Sequence, residues 1–529
     1  MTEKDIIHKL TYLLHGHRRK IFIIFGCLLI STGLNLCIPF ISKEIMDEGF
    51  IGGNKNILLY LVVGSFAIYM LISALNIIKE KVRVEIVAKV QYSLWHQAYE
   101  HLMRMKINYF DDRNAAEIFN NLSVDIANMV SVADESAFFV VTQAFSMVGG
   151  VIGLFILDYR MTILVLLFIP IKAVVMKYFA KYRKKVMDEF ILDSEKYSSW
   201  FGDTVGGVKE VKLFDILDNK HREFDEKQRV VIRKQKKMNM LSQWNSAADD
   251  VLVHLLITLI YIVGSNLVFN MQLSVGSIFA FITYSSYVTG PISAILNIGY
   301  LLSGIIPSTK RYYMFMELDE ENSNQKITTS PQFGDIELKN ISFAYEEGKP
   351  ILDGVSVIFT KGSKTAIIGR NGSGKTTIIN LLTRLYEPEN GQILLNGTNI
   401  ADMSLQAYRE MVSIVSQQIY LFNDSIRNNI CLYKQVSDAM LKIACRDSGL
   451  EDFIKEVSLD YVVGQNGAML SGGQKQKIAL ARALIHDKPI IIFDEATSNT
   501  DAYSEQQINA LLHTGLCLLY TSPSPRDCS

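Results

Sequence analysis

The sequence predicts an all-α membrane domain of six helices followed by an α/β domain. Three observations lead to this fold class. Six apolar runs fill the first half of the chain, a polar stretch follows them, and buried strand patterns then alternate with helical patterns. The length of 529 residues is enough for more than one domain. We therefore predict a membrane domain over 1–316, a linker over 317–334, an α/β domain over 335–513 and a separate tail over 514–529.

The composition limits the possible function. Hydrophobic residues make up 49% of the chain and are concentrated in its first half. Lys and Arg number 53 against 54 Asp and Glu, so the formal net charge of -1 gives no indication of nucleic-acid binding. The six cysteines show neither metal-ligand spacing nor a disulfide framework, which predicts packing residues in a reducing compartment. No cleavable signal peptide is expected at the N-terminus.

The apolar runs are long enough to cross a bilayer, which takes about 20 mostly apolar residues. Buried core helices of a soluble protein are the alternative, but several of this length in series favour membrane spans. The predicted spans are Ile21–Ile41, Ile57–Ile78, Ala137–Leu157, Met161–Phe179, Val251–Phe269 and Ile278–Ile306.

The connections between the spans alternate in length and charge. Residues 42–56, 158–160 and 270–277 form short connections with few charges, whereas 79–135 and 181–250 are long and charged. Basic residues lie near the span ends on the long side, so the positive-inside rule places the long connections and both termini in the cytoplasm. Their helical periodicity predicts spans that continue as helices beyond the bilayer.

Two ionisable residues fall inside the apolar runs. Lys172 follows Pro170 in the fourth predicted span, and His254 lies near the start of the fifth. Charges at such depth usually face a cavity or a partner, which suggests a substrate path. The alternative for Lys172 is a side chain that extends its ammonium group to the membrane interface.

The most specific motif follows a predicted strand over Lys364–Ile368. Gly369, Gly374, Lys375 and Thr376 match the G-x-x-x-x-G-K-[ST] spacing of a phosphate-binding loop, and a predicted helix follows. The loop glycines permit positive φ, so that several backbone N–H groups can turn toward an anion. Lys375 adds charge for the β- and γ-phosphates, and the Thr376 hydroxyl can hold Mg²⁺. The candidate nucleotide-binding residues here are Gly369, Arg370, Asn371, Gly372, Ser373, Gly374, Lys375, Thr376 and Thr377.

Two further candidates lie beside predicted strands. Tyr345 falls between strands predicted over 335–343 and 355–359, where its ring is either part of the core or free to stack on adenine. Gln417 ends a strand-like run over 414–417, where an amide can hold Mg²⁺ or the attacking water.

The last two motifs lie near the C-terminal end. Ser471–Gln474 opens a helical run over 475–485, and Ser-Gly-Gly at a helix start provides a second nest for anionic oxygens. Asp494 ends a buried strand predicted over 489–494, where a carboxylate suits Mg²⁺. Glu495 follows directly and suits the base that orients an attacking water.

These motifs, in this order, resemble those of ATP-binding cassette (ABC) transporters. Spans followed by one cassette in the same chain resemble an exporter-type half-transporter, and 105–111 and 207–214 are similar to the family's intracellular regions. The matching stretches are Gly369–Thr377 (Walker A), Leu470–Gln474 (signature), Ile490–Asp494 (Walker B) and Ser498–Asp501 (D-loop).

The resemblance implies an ATP-hydrolysing exporter that works as a dimer with a second copy or a paralogous half-transporter. ATP would lie between the Walker A of one chain and the signature of the other, and cassette closure would switch the membrane cavity between its two faces. The implied roles are adenine stacking for Tyr345, Mg²⁺ binding for Thr376, Gln417 and Asp494, catalytic base for Glu495, D-loop for Asp501, and signature contacts in trans for Ser471, Gly472, Gly473 and Gln474.

Several alternatives stay open. Drugs, lipids and peptides are all compatible substrates, and an ATP-gated channel or regulator, or an importer on the same architecture, would carry similar motifs. A soluble cassette ATPase is a further alternative, which the predicted spans oppose.

The C-terminal end departs from the family pattern. The resemblance implies another buried strand and a switch histidine after the D-loop helix, yet a Ser-Pro-Ser-Pro run follows here without a histidine. Leu516–Tyr520 is suited to one short strand. We therefore expect a C-terminally truncated cassette in which 514–529 is foreign sequence; a native tail would leave the cassette without its switch and impair ATP turnover.

Overall fold

The structure is a computed structural model that describes residues 3–111, 113–131, 135–321, 333–346, 348–494 and 518–522. The chain divides into two compact units. The first comprises Met1–Leu102 and Ala115–Leu318, and the second comprises Met103–Asn114 and Asp319–Ser529. A short segment from the middle of the helical region therefore belongs to the second unit.

The first unit is all-α, and every predicted span lies within one of its long helices. Among the described residues, four helical stretches are long and apolar enough to cross a membrane: 18–51, 55–104, 159–206 and 217–269. A further apolar helical stretch, Val141–Leu157, is shorter. The helices are α1 (Glu3–His15), α2 (Arg18–Glu44, continued by a π-helix over Ile45–Ile51), α3 (Lys55–Arg104), α4 (Asn108–Asp111, in the second unit), α5 (Ala115–Val130), α6 (Glu135–Leu157), α7 (Tyr159–Gly206), α8 (Val208–Leu213), α9 (Leu217–Phe269) and α10 (Val275–Met316).

Short connections end in helix caps. Asp158 is the N-cap of α7, where its carboxylate accepts hydrogen bonds from the backbone N–H of Arg160 at 2.7 Å and Met161 at 3.1 Å. Ser274 caps α10 in the same way. Because a side-chain cap satisfies N–H groups that a helix start leaves unpaired, each chain reversal needs only a few residues.

Glycines let two of the apolar helices approach closely. A Cβ added at Gly153 of α6 would lie 2.6 Å from Cε1 of Tyr284 in α10, and one at Gly150 would lie 2.9 Å from Cγ2 of Val288. Helices in lipid associate without a hydrophobic driving force, so they depend on close van der Waals packing. Small residues at the interface permit that packing. The Tyr284 hydroxyl also donates a hydrogen bond to the backbone oxygen of Leu36 in α2.

The second unit contains two four-stranded sheets. One is antiparallel in the order β2-β1-β4-β5, and the other is parallel in the order β3-β8-β7-β6. The strands are β1 (Ile336–Ala344), β2 (Pro350–Phe359), β3 (Lys364–Ile368), β4 (Asn390–Leu395), β5 (Thr398–Asn399), β6 (Val412–Val415), β7 (Ile490–Asp494) and β8 (Leu518–Ser522). The helices are α11 (Lys375–Leu382), α12 (Leu405–Arg409), α13 (Ile426–Cys431), α14 (Asp438–Asp447), α15 (Glu451–Val457) and α16 (Gly472–Ile485).

Buried aliphatic side chains hold this unit together. Leu338 and Ile341 of β1, Ile379 and Leu382 of α11, and Ile492 of β7 are almost completely buried in one cluster. The same cluster therefore fixes the helix that follows β3 against both sheets. Burial of a side chain of this size contributes about 1.5–3 kcal/mol.

The tail supplies a strand to the parallel sheet. β8 lies between β3 and β7, with Leu518 opposite Lys364 on one side and Ile491 on the other. The sequence predicts a short strand over Leu516–Tyr520, and the described strand runs from Leu518 to Ser522, directly before Pro523. Proline cannot donate to the sheet ladder, so it is consistent with the end of the strand at that point.

Candidate functional site

The carboxyl ends of the parallel strands carry the predicted site residues. Gly369 follows β3, Gln417 follows β6, and Asp494 is the last residue of β7. Parallel strands present their carboxyl ends at one edge of a sheet, which is where ligands bind in open α/β sheets. The fold thus brings the phosphate-binding loop, the amide and the carboxylate to one edge.

The loop glycines serve two different purposes. Gly372 and Gly374 have φ of +81° and +88°, as the sequence motif predicts. Gly369 does not adopt a positive φ, so that part of the prediction is wrong. A Cβ at Gly369 would lie 2.6 Å from Oγ of Ser373, so any other residue there would require the Ser373 hydroxyl to rotate away.

Lys375 begins α11 and is folded against the loop. Its side chain is buried, and its Nζ donates hydrogen bonds to the backbone oxygens of Gly369 at 3.0 Å and Arg370 at 3.4 Å. Gly374 is the N-cap and has no side chain to cover the first N–H groups of the helix. The loop therefore presents N–H groups and one ammonium group to the same region, which suits a phosphate chain.

The three predicted Mg²⁺ ligands supply oxygen donors of different kinds. Asp494 is 5% exposed at the end of an entirely buried strand, whereas Thr376 and Gln417 are exposed. Within the described ranges, no group of three or more His, Cys, Asp or Glu side chains could hold a metal ion. A hydroxyl, an amide and one carboxylate suit Mg²⁺ that takes its other ligands from phosphate and water.

The signature residues form a self-contained helix start. Ser471 Oγ accepts from the backbone N–H of Gln474 at 3.3 Å, and Gln474 Oε1 accepts from the backbone N–H of Ser471 at 2.9 Å. This reciprocal capping box fixes the first turn of α16. A Cβ added at Gly472 or Gly473 would meet nothing within 4 Å, so this surface is open on the side of the glycines.

Tyr345 is held by two other rings and keeps part of its surface exposed. Its ring meets Phe343 and Tyr386 edge-to-face, with centroid distances of 4.9 and 5.0 Å. Its hydroxyl accepts a hydrogen bond from Nδ2 of Asn380 at 3.0 Å. The side chain is 45% exposed, which leaves ring surface available for a stacked base.

Glu495 and Asp501, together with the rest of 495–517, lie outside the described residues.

The two intramembrane candidates have different surroundings. Lys172 of α7 is completely buried. Its Nζ lies 2.7 Å from Oδ1 of Asp249 in α9 and forms an ion pair with it, but the geometry is not that of a well-directed hydrogen bond. The partner expected for Lys172 is therefore present. His254 is exposed, and its backbone oxygen accepts from the Thr258 hydroxyl.

Sequence reasoning missed a cavity of about 580 Å³ in the first unit, which has several polar side chains in its lining. Helices α2, α3, α6 and α10 each contribute polar side chains to its lining. Polar residues three or four positions apart within apolar runs, such as Ser31 with Asn35 and Thr142 with Ser146, were the available signal. The polar lining residues are Ser31, Thr32, Asn35, Asn76, Lys79, Thr142, Gln143, Ser146, Ser286 and Tyr287.

Known proteins resemble the chain over both units. The family model for the ABC transporter transmembrane region matches residues 21–292, and the model for the ABC transporter matches 352–498. An ATP-dependent lipid A-core flippase of Haemophilus influenzae is 29% identical over 492 residues, covering 89% of this chain and 82% of the relative. The flippase of the same name from Syntrophus aciditrophicus is 25% identical and covers 96% of this chain and 85% of its own length.

A solved structure shares the fold. The structure of a bacterial Atm1-family ABC exporter with ATP bound matches with a TM-score of 0.78 and 21% identity, covering 96% of this chain and 91% of that chain. As the sequence analysis predicted, a helical membrane region comes first, and a cassette with the phosphate-binding loop and the signature helix follows it. The chain belongs to the ABC transporter family and is an exporter-type half-transporter, a helical membrane domain fused to one nucleotide-binding cassette.

Proposed function

We propose that this half-transporter hydrolyses ATP to export a hydrophobic or amphipathic substrate across the cell membrane, as a dimer and by alternating access. The observation that carries the proposal is the single sheet edge at which the phosphate-binding loop, Gln417 and Asp494 meet. A loop for the phosphates and oxygen donors for a metal at one edge are the parts that phosphoryl transfer requires.

The cassette residues divide the work of binding and hydrolysis. The N–H groups of the loop and the ammonium group of Lys375 hold the phosphate chain, and the Tyr345 ring stacks on adenine. Thr376, Gln417 and Asp494 hold Mg²⁺, which when bound neutralises charge on the β- and γ-phosphates. Glu495 accepts a proton from the attacking water, as its position after the Walker B strand implies.

A dimer completes the site. Each chain has one Walker A loop and one signature, and the proposal places ATP between the loop of one chain and the signature of the other. The open glycine surface at Gly472 and Gly473 supports an approach by a partner. Because Ser471 and Gln474 already satisfy each other, the helix start is ordered before the partner arrives. The partner is a second copy or a paralogous half-transporter.

The substrate class that the observations favour is a lipid. The named relatives are lipid A-core flippases, and the membrane unit combines apolar helices with a cavity that has both apolar surface and polar side chains in its lining. Unpaired polar groups are costly within a bilayer, so such a lining favours water or the polar part of an amphipathic molecule. Drugs and peptides with both polar and apolar parts fit the same description.

The orientation follows from charge. The cassette and both termini lie in the cytoplasm, because the basic residues after the fourth span and before the fifth lie on the side of the long connections. Closure of two cassettes around ATP would pull on the intracellular helices, and this motion would turn the membrane cavity from one face to the other. The segment Met103–Asn114, which clusters with the cassette unit, is one candidate for that connection.

Vesicles containing the purified full-length chain test the proposal. ATP hydrolysis is measured while labelled lipids, drugs and peptides are offered in turn, and lipids are expected to give the largest stimulation together with movement between leaflets. Net transport against a gradient distinguishes a pump from an ATP-gated channel, and its direction distinguishes export from import. A chain that neither binds ATP nor dimerises when ATP is added would contradict the proposal.

A further inference from the structure

A second tyrosine supports the ring proposed to stack on adenine. Tyr386 meets Tyr345 at an interplanar angle of 88° and meets the buried Phe343 at a centroid distance of 5.6 Å. Tyr345 is therefore contacted by two rings that approach edge-to-face, an arrangement with strong directional preference. A shift of Tyr386 would change the orientation of the Tyr345 ring.

Hydrogen bonds attach this ring cluster to two different elements. Asn380, which donates to the Tyr345 hydroxyl, lies on α11, the helix that begins with Lys375. The Tyr386 hydroxyl donates to the Asp111 carboxylate at the end of α4. The cluster is thus connected to the phosphate-binding loop on one side and to the segment Met103–Asn114 on the other.

The segment is anchored to the second unit at its other end. The backbone N–H of Glu321 donates to the backbone oxygen of Arg104 at 2.7 Å, and Lys106 forms an ion pair with Asp319 at 3.5 Å. Glu321 in turn accepts from Arg409 of α12 at 2.8 and 2.9 Å. The segment therefore has a defined place against this unit independently of Asp111.

A cavity lies between the segment Met103–Asn114 and the ring cluster, and the hydrogen bond between Asp111 and Tyr386 joins the two sides. It has a volume of about 710 Å³, and Lys106, Asp111, Tyr345, Arg384 and Tyr386 are among its lining residues. Close packing does not fill the space between the segment and the rings, so a hydrogen bond across it carries more of the connection than it would in a packed core.

We propose that Tyr386 and Asp111 are positioning residues for the base of the bound nucleotide. This inference rests on the proposed stacking of adenine on Tyr345. Asp111 fixes Tyr386, Tyr386 fixes the edge of the Tyr345 ring, and the base binds to the face that remains exposed. The position of Met103–Asn114 and the affinity for the base are then coupled, and the coupling acts in both directions.

Equilibrium binding of two ligands, Mg-ATP and a ribose triphosphate without a base, to the full-length chain tests the proposal. Tyr386→Phe retains the ring but removes the hydroxyl, and Asp111→Ala removes the acceptor. Each is expected to raise the Kd for Mg-ATP about fivefold, at the lower end of typical coupling between sites. The Kd for a ribose triphosphate without a base should stay unchanged, because that ligand does not touch Tyr345.

Three further variants complete the design. The double variant is expected to bind ATP no more weakly than either single variant, since both remove the same connection. Asp111→Asn retains an acceptor oxygen and should restore much of the affinity. Tyr433→Phe is the matched control, because it removes another hydrogen bond from a tyrosine to an aspartate, at 2.8 Å to Asp424, elsewhere in the unit.

The outcomes separate this inference from the proposed function. Unaltered ATP binding by Tyr386→Phe, alongside weakened binding by Tyr345→Ala, would overturn the positioning role alone. Unaltered ATP binding by Tyr345→Ala would overturn adenine stacking itself. An equal loss for ATP and for the baseless triphosphate would show that Tyr386 only supports the fold of the loop, which also overturns the inference.

Discussion

The nucleotide-binding edge and the membrane cavity differ in how the chain assembles them. At the edge, nine consecutive residues from Gly369 to Thr377 form the phosphate-binding loop, and single residues from two other strands join them. The cavity instead takes its lining from four helices that are far apart in sequence. A contiguous loop has a recognisable spacing, whereas a shared cavity leaves only scattered polar residues in each helix. Chemistry common to a family is therefore visible in sequence, whereas the membrane cavity that we propose for the substrate is not.

Glu495→Gln should give the largest effect, and it tests the nucleotide-binding edge. Loss of a general base lowers ATP hydrolysis by about 10²–10⁴-fold, while ATP binding should persist because the amide keeps the size of the side chain. Turnover measured with and without a lipid substrate checks the expectation, with the exposed Glu456→Gln as control. A rate within threefold of the unaltered chain would refute the assignment.

Lys172→Ala tests the membrane unit, where Lys172 of α7 pairs with Asp249 of α9. Removal of one partner from a buried ion pair costs about 3–5 kcal/mol, and the lower figure applies because Asp249 keeps 28% of its side-chain surface exposed. The double variant Lys172→Ala with Asp249→Ala should be more stable than the single one, since no charge is then left without its partner. Thermal unfolding in detergent measures both. If the pair instead serves the substrate path, transport will fall at unaltered stability.

Lys375→Ala is expected to weaken ATP binding about 10–150-fold. A hydrogen bond to a charged group contributes about 1.5–3 kcal/mol, and the Lys375 ammonium carries the full charge that we propose to contact the phosphates. Equilibrium binding of Mg-ATP measures this loss, and the exposed Lys442→Ala in the same unit is the matched control. Affinity equal to that of the control would remove Lys375 from the phosphate site.

Gly153→Ala should give the smallest of these effects, a destabilisation of about 1–3 kcal/mol from overpacking. The added Cβ would lie 2.6 Å from the Tyr284 ring, which is buried between helices and cannot move away without repacking. Gly64→Ala in α3 has open space around its Cβ and should be neutral or stabilising. Equal unfolding temperatures for the two variants would contradict the close approach of α6 and α10.

Local patterns account for what the sequence could predict. The strand Lys364–Ile368 has the predicted bounds, and each predicted span lies within one helix. Local patterns could not predict contacts between residues that are far apart in sequence. Asp249 as the partner of Lys172 follows from the packing of α7 against α9, and the contact of Tyr386 with Tyr345 joins residues on different elements. The close approach of the Ser373 hydroxyl to Gly369 likewise became apparent only from the structure.

The place of β8 in the parallel sheet sets the distance between the two strands that carry the phosphate-binding loop and Asp494. Neighbouring strands lie about 4.8 Å apart, so the strand before Lys375 and the strand that ends at Asp494 are held roughly 10 Å apart by one intervening backbone. Strand pairing is made by main-chain groups, so this gap is set by the presence of any extended peptide there and depends little on its side chains. Proteolytic removal of Leu518–Ser522 would remove the main-chain pairing between the two strands and leave only side-chain packing, such as that of Ile379 and Ile492 in one cluster, to keep their distance, even though every residue of the nucleotide motifs remained intact.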